Sequence, residues 1–365
     1  MVLIMGLPDE VLCEETECFQ GTITFIKLSH PHPYTVETID LPTGKTQQLV
    51  QATIDRPEIR DFCYSPDGTY FLLTMGSGDN WYANTEIYIG EEGGKKLKKL
   101  TDNNIYDGDT AWSPDGKRFA FTRGWGIAGR VFVLDLESAQ EQQVSAAGLE
   151  ITRMPAWLSD SQRLVVTSKT SDGIWGFAEI DINRGVVRWL YKGEVSILAP
   201  CFSPDRRSLA CIVQSRRPSF NWSYELEFIY RVNVLDLDTE RIKPVDDGPE
   251  GFERDLWPIW SPDSKRLAWL RDDRKNQISK IVVHDPETKK SLKITLPERI
   301  ADVYSLVWSP DGKHLAFVTQ NQAPKHTLRV VTIDSGRYRN VVTTASQIQC
   351  LYWRQTRGNK IYIIR

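Results

Sequence analysis

Aspartate recurs along this chain at a nearly constant spacing, and carboxylates are common groups for acid–base catalysis and cation binding. Five of the recurring aspartates follow Ser-Pro and one follows Leu-Ser, with separations of 48, 45, 45, 58 and 48 residues. A catalytic site needs several groups that converge on one point, so identical acids repeated along a whole chain favour a structural role. We therefore predict that these aspartates hold turns. They are Asp67, Asp115, Asp160, Asp205, Asp263 and Asp311.

The other residues able to bind metals or act as nucleophiles are scattered. The chain has five histidines and six cysteines. His30 and His32 lie in a proline-rich stretch that indicates a loop. Cys13 and Cys18 lack a second ligand pair at the spacing of a zinc site. Because such a site needs three or more convergent ligands, we expect no metal and no cofactor.

The segment Ser-Pro-Asp-Gly, as at 113–116, has the composition of a tight turn. Proline presets φ, the aspartate accepts hydrogen bonds from nearby backbone N–H groups, and glycine adopts the left-handed conformation. An aromatic residue such as Trp112 precedes most copies, and an alternating apolar run such as 118–123 follows. These patterns predict a turn that joins two strands, A and B, of a repeated unit.

The repeat length of about 45 residues suits one four-stranded blade of a β-propeller. Strand C of each unit ends in an acid, as at Asp135, and strand D is shorter and more polar. Residues 21–50 read as strands B, C and D, and 347–365 supply the missing part. We predict an all-β, seven-bladed propeller closed by pairing of the N- and C-terminal strands. Both termini offer a B-like run, so eight blades with one incomplete is the alternative.

The predicted domain organisation is an N-terminal segment, residues 1–19, followed by one propeller domain, residues 20–365, whose first blade is completed by 347–365. The net charge of −3 and pI near 6.0 offer no general attraction for nucleic acid. No apolar stretch approaches 18 residues, and the start of the chain lacks the basic region of a signal peptide. We expect a soluble cytoplasmic protein with reduced thiols, and neither nucleic acid nor membrane as partner.

The aromatic-Ser-Pro-Asp-Gly-Lys turn, followed by an apolar strand and a strand ending in Asp, resembles the TolB-like propeller repeat, which is similar to WD40 repeats. The resemblance covers about residues 20–365 and implies the propeller fold. It implies three kinds of role: an interaction module, a gating domain on a peptidase, or an enzyme such as oligogalacturonate lyase. The Gly-x-Ser-x-Gly elbow of the peptidases does not occur in this chain.

Tryptophan is the main candidate for binding, and the chain has twelve. Five occupy one repeat position at the end of strand A, where we expect them to pack between blades: Trp112, Trp157, Trp260, Trp308 and Trp353. Five others fall in predicted B-to-C loops or in a connection before strand A, and these connections emerge on one face. Aromatic side chains on adaptable loops suit recognition. These five are Trp81, Trp125, Trp175, Trp222 and Trp257.

The longest predicted insertion, 214–228, mixes aromatic and charged residues, as a protein-binding rim does. We predict a non-catalytic, cytoplasmic protein- or peptide-binding propeller that serves as an interaction or regulatory subunit through the tryptophan-bearing face. One alternative is a glycan or small-ligand sensor that stacks sugars on the same tryptophans. Another is a carbohydrate-active lyase or hydrolase with a central-funnel site that uses Tyr106, Asp107, Asp109 and Arg254. The further candidate binding residues are Arg216, Arg217, Phe220, Tyr224, Tyr106, Asp107 and Arg254.

Overall fold

The computed structural model describes residues 19–29, 34–52, 58–76, 84–93, 96–124, 129–144, 149, 151–193, 197–216, 228–248, 253–273, 275–296, 306–320 and 325–354. These residues form 28 β-strands, which pair into seven four-stranded antiparallel sheets. In this part of the chain no helix is long and apolar enough to cross a bilayer. The fold is therefore the predicted seven-bladed β-propeller.

The strands of the first four blades in chain order are β1 (Thr22–Leu28), β2 (Thr35–Asp40), β3 (Thr46–Gln51), β4 (Glu58–Tyr64), β5 (Tyr70–Gly76), β6 (Thr85–Glu91), β7 (Leu97–Lys99), β8 (Asp107–Trp112), β9 (Arg118–Arg123), β10 (Arg130–Asp135), β11 (Glu141–Gln143), β12 (Ile151–Trp157), β13 (Arg163–Lys169), β14 (Trp175–Asp181) and β15 (Gly185–Gly193).

The remaining strands are β16 (Ile197–Phe202), β17 (Ser208–Arg216), β18 (Phe228–Asp236), β19 (Arg241–Pro244), β20 (Glu253–Trp260), β21 (Leu267–Asp273), β22 (Ile278–Asp285), β23 (Lys290–Thr295), β24 (Leu306–Trp308), β25 (His314–Gln320), β26 (His326–Thr332), β27 (Tyr338–Thr344) and β28 (Gln347–Arg354). Blade 1 has the strand order β28-β1-β2-β3, and blades 2 to 7 each use four consecutive strands as A, B, C and D.

The ring closes in blade 1, where the two ends of the described chain meet. Strand β28 runs antiparallel to β1, with Ile23 opposite Trp353 and Lys27 opposite Ile348. The N-terminal part thus supplies strands B, C and D, and the C-terminal part supplies strand A. The second B-like run, residues 360–364, lies outside the described residues. Because the ring is closed, every blade packs between two neighbours, and no blade is left with an uncovered face as at the end of an open array.

Strand A forms the inner edge of each blade and strand D the outer edge. Strands A of neighbouring blades contact one another, as β8 does with β4 and β12. The outer strands are largely exposed, as in β11 and β23. Lys98 and Lys99 lie on outer strand β7. The hydrophobic cores lie between blades and include Trp157, which is packed with strands of blades 3 and 4.

Tryptophans at the end of strand A join neighbouring blades through their indole N–H groups. Trp157 Nε1 donates to the carbonyl oxygen of Ala111, one blade back, at 3.0 Å. Trp260 and Trp308 make the same bond to the preceding blade, each at 3.2 Å. Trp353 differs, because its indole donates at 2.9 Å to the carbonyl of Gln20, just before β1 of its own blade. Each large ring is thus buried without losing its hydrogen bond.

The A-to-B turns are closed by the residues that recur in the sequence. In blade 3, Ser113 Oγ donates to Asp115 Oδ1 at 2.6 Å, and the backbone N–H of Lys117 donates to the same oxygen at 3.1 Å. Where serine replaces the turn glycine, at Ser161, its hydroxyl accepts from the backbone N–H of Asp115 in the preceding blade. The hydrogen bond from Ser65 is the main cause that lowers the pKa of Asp67. Asp160, Asp205, Asp263 and Asp311 also accept backbone hydrogen bonds within their turns.

Candidate functional site: the loop face of the ring

The two sides of the ring carry different connections. We name the side with the A-to-B and C-to-D connections the turn face, and the side with the B-to-C and D-to-A connections the loop face. A parallel bridge from Thr85, the first residue of β6, to Tyr106, which directly precedes β8, places the starts of strands C and A together. Arg123, at the end of β9, binds Asp107, at the start of β8. These contacts place all four residues on the loop face.

Connection lengths differ sharply between the two faces. On the turn face, five residues separate Tyr64 from Tyr70, and every other sequential A-to-B connection has five or six. On the loop face, eleven residues lie between β17 and β18, whereas four lie between β21 and β22. The D-to-A connections run from two residues, before β28, to ten, before β24. Length variation is therefore concentrated on the loop face.

An ion pair between a buried carboxylate and a partly buried guanidinium lies on the loop face of blade 3. Arg123 donates to both carboxylate oxygens of Asp107, from Nε at 2.8 Å and from Nη2 at 3.0 Å. Asn103 Nδ2 donates to the same carboxylate at 2.8 Å, and Glu141 binds the guanidinium from strand β11. Burial lowers the pKa of Arg123, but the hydrogen bonds and charges of Asp107 and Glu141 outweigh it and raise the pKa overall. Arg123 is therefore a fixed cation, and Asp107 is fully engaged by the protein.

A second ion pair stands on the loop face of blade 6 and is buried more deeply. Arg271 donates to Asp255 from Nε at 2.7 Å and from Nη2 at 3.1 Å, and both side chains are almost fully shielded from solvent. Trp269 Nε1 donates to Asp255 at 2.9 Å. The backbone N–H of Val232, in blade 5, donates to the other carboxylate oxygen. Asp246, in the connection before β20, also binds Arg271. The pair therefore links blade 6 to blade 5.

The two ion pairs occupy the same position of the repeat. Asp107 lies opposite Arg123 in blade 3, and Asp255 lies opposite Arg271 in blade 6. Each aspartate is five residues before the last tryptophan of its strand A. Blade 2 has the buried apolar pair Ile59 and Met75 at this position. The fold therefore accepts either an apolar or an ionic pair here.

Tyr106 and Arg254, two predicted binding residues, stand on the loop face in different blades. Tyr106 is half-buried, and its phenol oxygen lies 2.3 Å from where a Cβ on Gly108 would be, so a larger residue there would displace the Tyr106 ring. Arg254 lies opposite Asp272 in blade 6, and its Nη2 donates to that carboxylate at 3.4 Å. Asp107, the third candidate, belongs with Tyr106 in blade 3. The structure therefore brings Tyr106 and Asp107 together, with Arg254 three blades away.

Two of the predicted loop tryptophans lie in strands instead. Trp175 is the first residue of β14, is half-buried, and has the Lys169 ammonium 6.0 Å from its ring centroid. Trp257 lies inside β20, where the pairing with β21 shifts register between Leu256 and Ile259. Trp257 has a φ of 47° and is part of a β-bulge. The bulge interrupts the regular alternation of side chains along the strand, so the sequence pattern does not mark this segment as a strand. Trp175 therefore stands at the loop-face end of its strand, whereas Trp257 lies three residues before the turn-face end of β20.

The other predicted tryptophans and most of the insertion lie outside the described residues: Trp81, Trp125, Trp222, Arg217, Phe220 and Tyr224. Arg216, predicted to lie in the insertion, is the last residue of β17, and Phe228 is the first residue of β18. Strand β17 is longer than predicted because its pairing with β18 continues from Ser208 to Arg216. The insertion between these strands is therefore shorter at both ends than the sequence suggested.

The described residues hold no group of three or more His, Cys, Asp or Glu side chains placed to bind one metal ion. In these ranges Cys63, Cys201, Cys211 and Cys350 form no disulfide bond. Burial raises the pKa of Cys201 to about 11 and that of Cys211 to about 12. These two thiols are therefore poor nucleophiles near neutral pH.

Sequence reasoning missed the paired Asp–Arg positions, although a signal was present. In strand B, arginine follows an aromatic residue by two positions in Phe121-Thr122-Arg123 and again in Trp269-Leu270-Arg271. An aspartate precedes the strand A tryptophan by five residues in those same two repeats. Aligning the repeats by both features would have found the pairs. Residues directly opposite each other on neighbouring antiparallel strands have their side chains on the same face of the sheet, so each aspartate can reach its arginine.

A family model described as "TolB beta propeller domain" matches residues 20–218, more than half of the chain. A second model, described as "Anaphase-promoting complex subunit 4 WD40 domain", matches residues 260–356. Dipeptidyl-peptidase 5 of Porphyromonas gingivalis is 22% identical over 337 residues, which cover 78% of this chain and 47% of that protein. The chain thus spans about half the length of this relative.

Solved structures show the same fold at low sequence identity. Oligogalacturonate lyase from Vibrio parahaemolyticus aligns with a TM-score of 0.62 and 14% identity, covering 88% of this chain and 86% of that structure. TolB from Acinetobacter baumannii aligns with a TM-score of 0.54 and 14% identity, covering 91% of this chain and 82% of that structure. At this identity the likeness concerns the fold alone, because one fold hosts many functions.

Proposed function

The chain belongs to the TolB β-propeller family, and from that premise we propose that it is a non-catalytic protein- or peptide-binding propeller whose loop face is the binding surface. It would act as an interaction or regulatory subunit in the cytoplasm, where its free thiols stay reduced. The proposal concerns a site, because the fold by itself carries no function.

The observation that carries the proposal is the concentration of length variation on one face. On the turn face, the sequential A-to-B connections have five or six residues, whereas the connections on the loop face have two to eleven. Hairpin loops commonly have about two to five residues, so the longest loop-face connections exceed the length that reversing the chain requires. A rigid scaffold that presents variable loops on one side is the usual arrangement of a binding surface.

Side chains bordering the loop face supply contacts suited to a polypeptide. Trp175 and Tyr106 are half-buried, so each keeps an apolar surface open to a partner. Arg254 is about one quarter exposed, and Glu253 forms an ion pair with Lys280 at 2.7 Å. Aromatic residues and arginine are enriched at binding hot spots, and charged pairs at the rim set orientation and association rate.

Affinity purification from the native host, followed by mass spectrometry, tests the proposal. The tagged wild type is compared with a loop-face variant, Trp81→Ala, Trp125→Ala, Trp175→Ala and Trp222→Ala. Its control is a turn-face variant of exposed lysines, Lys117→Ala, Lys265→Ala and Lys313→Ala. We expect a stoichiometric protein that both the wild type and the turn-face variant retain and that the folded loop-face variant loses. A partner that the loop-face variant retains in full would contradict the proposal.

A further inference from the structure

The outermost strands of the ring carry charges of nearly one sign. The seven D strands together hold nine lysine or arginine residues and one acid, Glu141, although the whole chain has a net charge of −3. Side chains on these strands are mostly exposed. The rim is therefore basic on a protein that is acidic overall.

These basic residues are not spread evenly around the ring. Strand β3 has no charged residue, and β11 carries the single acid. Strands β15, β19, β23 and β27, from four consecutive blades, hold seven of the nine basic residues and no acid. We call the basic residues of these four strands the basic arc. The arc covers one side of the circumference.

The protein's own carboxylates lie beside part of the arc. Arg241 lies opposite Asp236 and Lys290 lies opposite Asp285, whereas Lys243 and Lys293 lie opposite valines. Arg188, at one end, forms ion pairs with Glu179 and Glu240. Lys243, Lys290 and Lys293 are exposed and, within the described ranges, form no ion pair with a carboxylate. Leu292, between two of these lysines, exposes 43% of its surface. Exposed lysines beside an exposed leucine offer both charge and apolar contact.

Protection of sheet edges accounts for lysine on single outer strands but not for its grouping on one side of the ring. Charged side chains, lysine above all, discourage pairing of an exposed edge strand with another chain. The uncharged edge of β3 shows that not every outer strand of this ring is protected by charge. Positive charge on the outer strands of four consecutive blades, without an acid on those strands, is the pattern expected of a surface that binds a negatively charged partner.

We propose that the basic arc docks an acidic segment of a partner protein, on a surface separate from the loop face. A convex rim meets a flat membrane over only a small part of its length, whereas an extended polypeptide follows the curve. Lysine side chains from successive outer strands pair with aspartate or glutamate along that segment. Such binding weakens as salt is added, because these charges are exposed and are screened.

Fluorescence anisotropy with a labelled poly-L-glutamate peptide tests the proposal on the full chain. The rim variant is Lys243→Glu, Lys290→Glu and Lys293→Glu. The matched control is Lys117→Glu, Lys265→Glu and Lys313→Glu, three exposed turn-face lysines whose reversal changes the net charge by the same amount. We expect the rim variant to bind at least about tenfold more weakly than the wild type, and the control by less than about threefold. Circular dichroism confirms that both variants are folded.

Three results would overturn the proposal. The first is failure of the wild type to bind poly-L-glutamate at low salt. The second is an equal loss in both variants, which would assign binding to net charge and not to the arc. The third is tighter binding of labelled single-stranded DNA than of poly-L-glutamate, which would assign the arc to nucleic acid. The loop-face proposal is tested separately, because the rim variant leaves all loop-face residues unchanged.

Discussion

The turn face and the loop face are built from the same strands but follow different constraints. On the turn face, Ser-Pro-Asp turns of nearly constant length recur, and their serine and aspartate side chains close each turn. On the loop face, connections vary from two to eleven residues. The turn face therefore contains the repeated residues that specify the ring, whereas the connections of the loop face can vary in length without changing the fold. The same division should appear when residues of one type are substituted on the two faces.

The largest difference is expected between two tryptophans. Trp308 is almost fully buried between blades and donates to Ile259, so Trp308→Ala should cost about 3–5 kcal/mol of unfolding free energy. Trp175 is half-buried at the loop face, and Trp175→Ala should cost roughly 1 kcal/mol. Chemical denaturation of both variants measures the difference. Equal losses would show that the loop-face tryptophan is part of the core.

The buried ion pair of blade 6 lies on the loop face but stabilises the fold, so it is an exception to this division between the faces. Asp255→Ala leaves the Arg271 guanidinium buried with fewer partners and should cost about 3 kcal/mol. The double variant Asp255→Leu, Arg271→Met replaces the pair with apolar groups, as blade 2 has at this position, and should recover most of that loss. Urea denaturation measures both. A double variant no more stable than Asp255→Ala would show that the repeat position requires the ionic pair in blade 6.

The sequence predicted the ring because its information lies in local, repeated features. Ser-Pro-Asp turns, the tryptophan at the end of strand A and the acid at the end of strand C all depend on neighbours close in the chain. The Asp255–Arg271 pair was missed because it joins residues from two strands. Its hydrogen bonds with Asp246 and with the backbone of Val232 also depend on the folded arrangement of segments that are distant in the chain. The strand position of Trp257 was missed because a bulge breaks alternation. Residues that define the loop face are therefore the ones that sequence predicts least well.

Acid should remove the stabilisation that the turn aspartates provide. Hydrogen bonds from serine and backbone groups lower the pKa of Asp67, and they also lower that of Asp115 and Asp263 against the opposing effect of burial. Because these folded-state values lie below the unfolded value of about 3.9, the stabilisation is present above that pH and is lost as pH falls through the folded-state values. The variant Asp67→Asn, Asp115→Asn, Asp263→Asn should be less stable near neutral pH.

Thermal unfolding followed as a function of pH measures this effect. The melting temperature of the wild type should fall steeply below about pH 4. The triple variant should start lower and lose less over the same range, since three of the titrating groups are gone. A variant with the same acid dependence as the wild type would show that the turn aspartates do not contribute.

The smallest effect is expected from shortening the longest loop. Replacing the eleven residues between Arg216 and Phe228 with five should change the unfolding free energy by less than about 1 kcal/mol, because loop-closure entropy varies slowly with length. Deleting one residue from the turn 113–117 should cost more, since it removes the Ser113–Asp115 geometry. Denaturant midpoints compare the two. A loop variant that unfolds as readily as the turn variant would remove the distinction between the faces.

The most direct test of the loop face as a binding surface is hydrogen–deuterium exchange of the chain alone and in complex with a partner purified on it. We predict slower exchange on binding at the loop-face ends of strands, near Thr85, Trp175 and Glu253, with no change in the A-to-B turns. Protection confined to the turns around Asp115, Asp263 and Asp311, with the loop-face ends unchanged, would contradict the account.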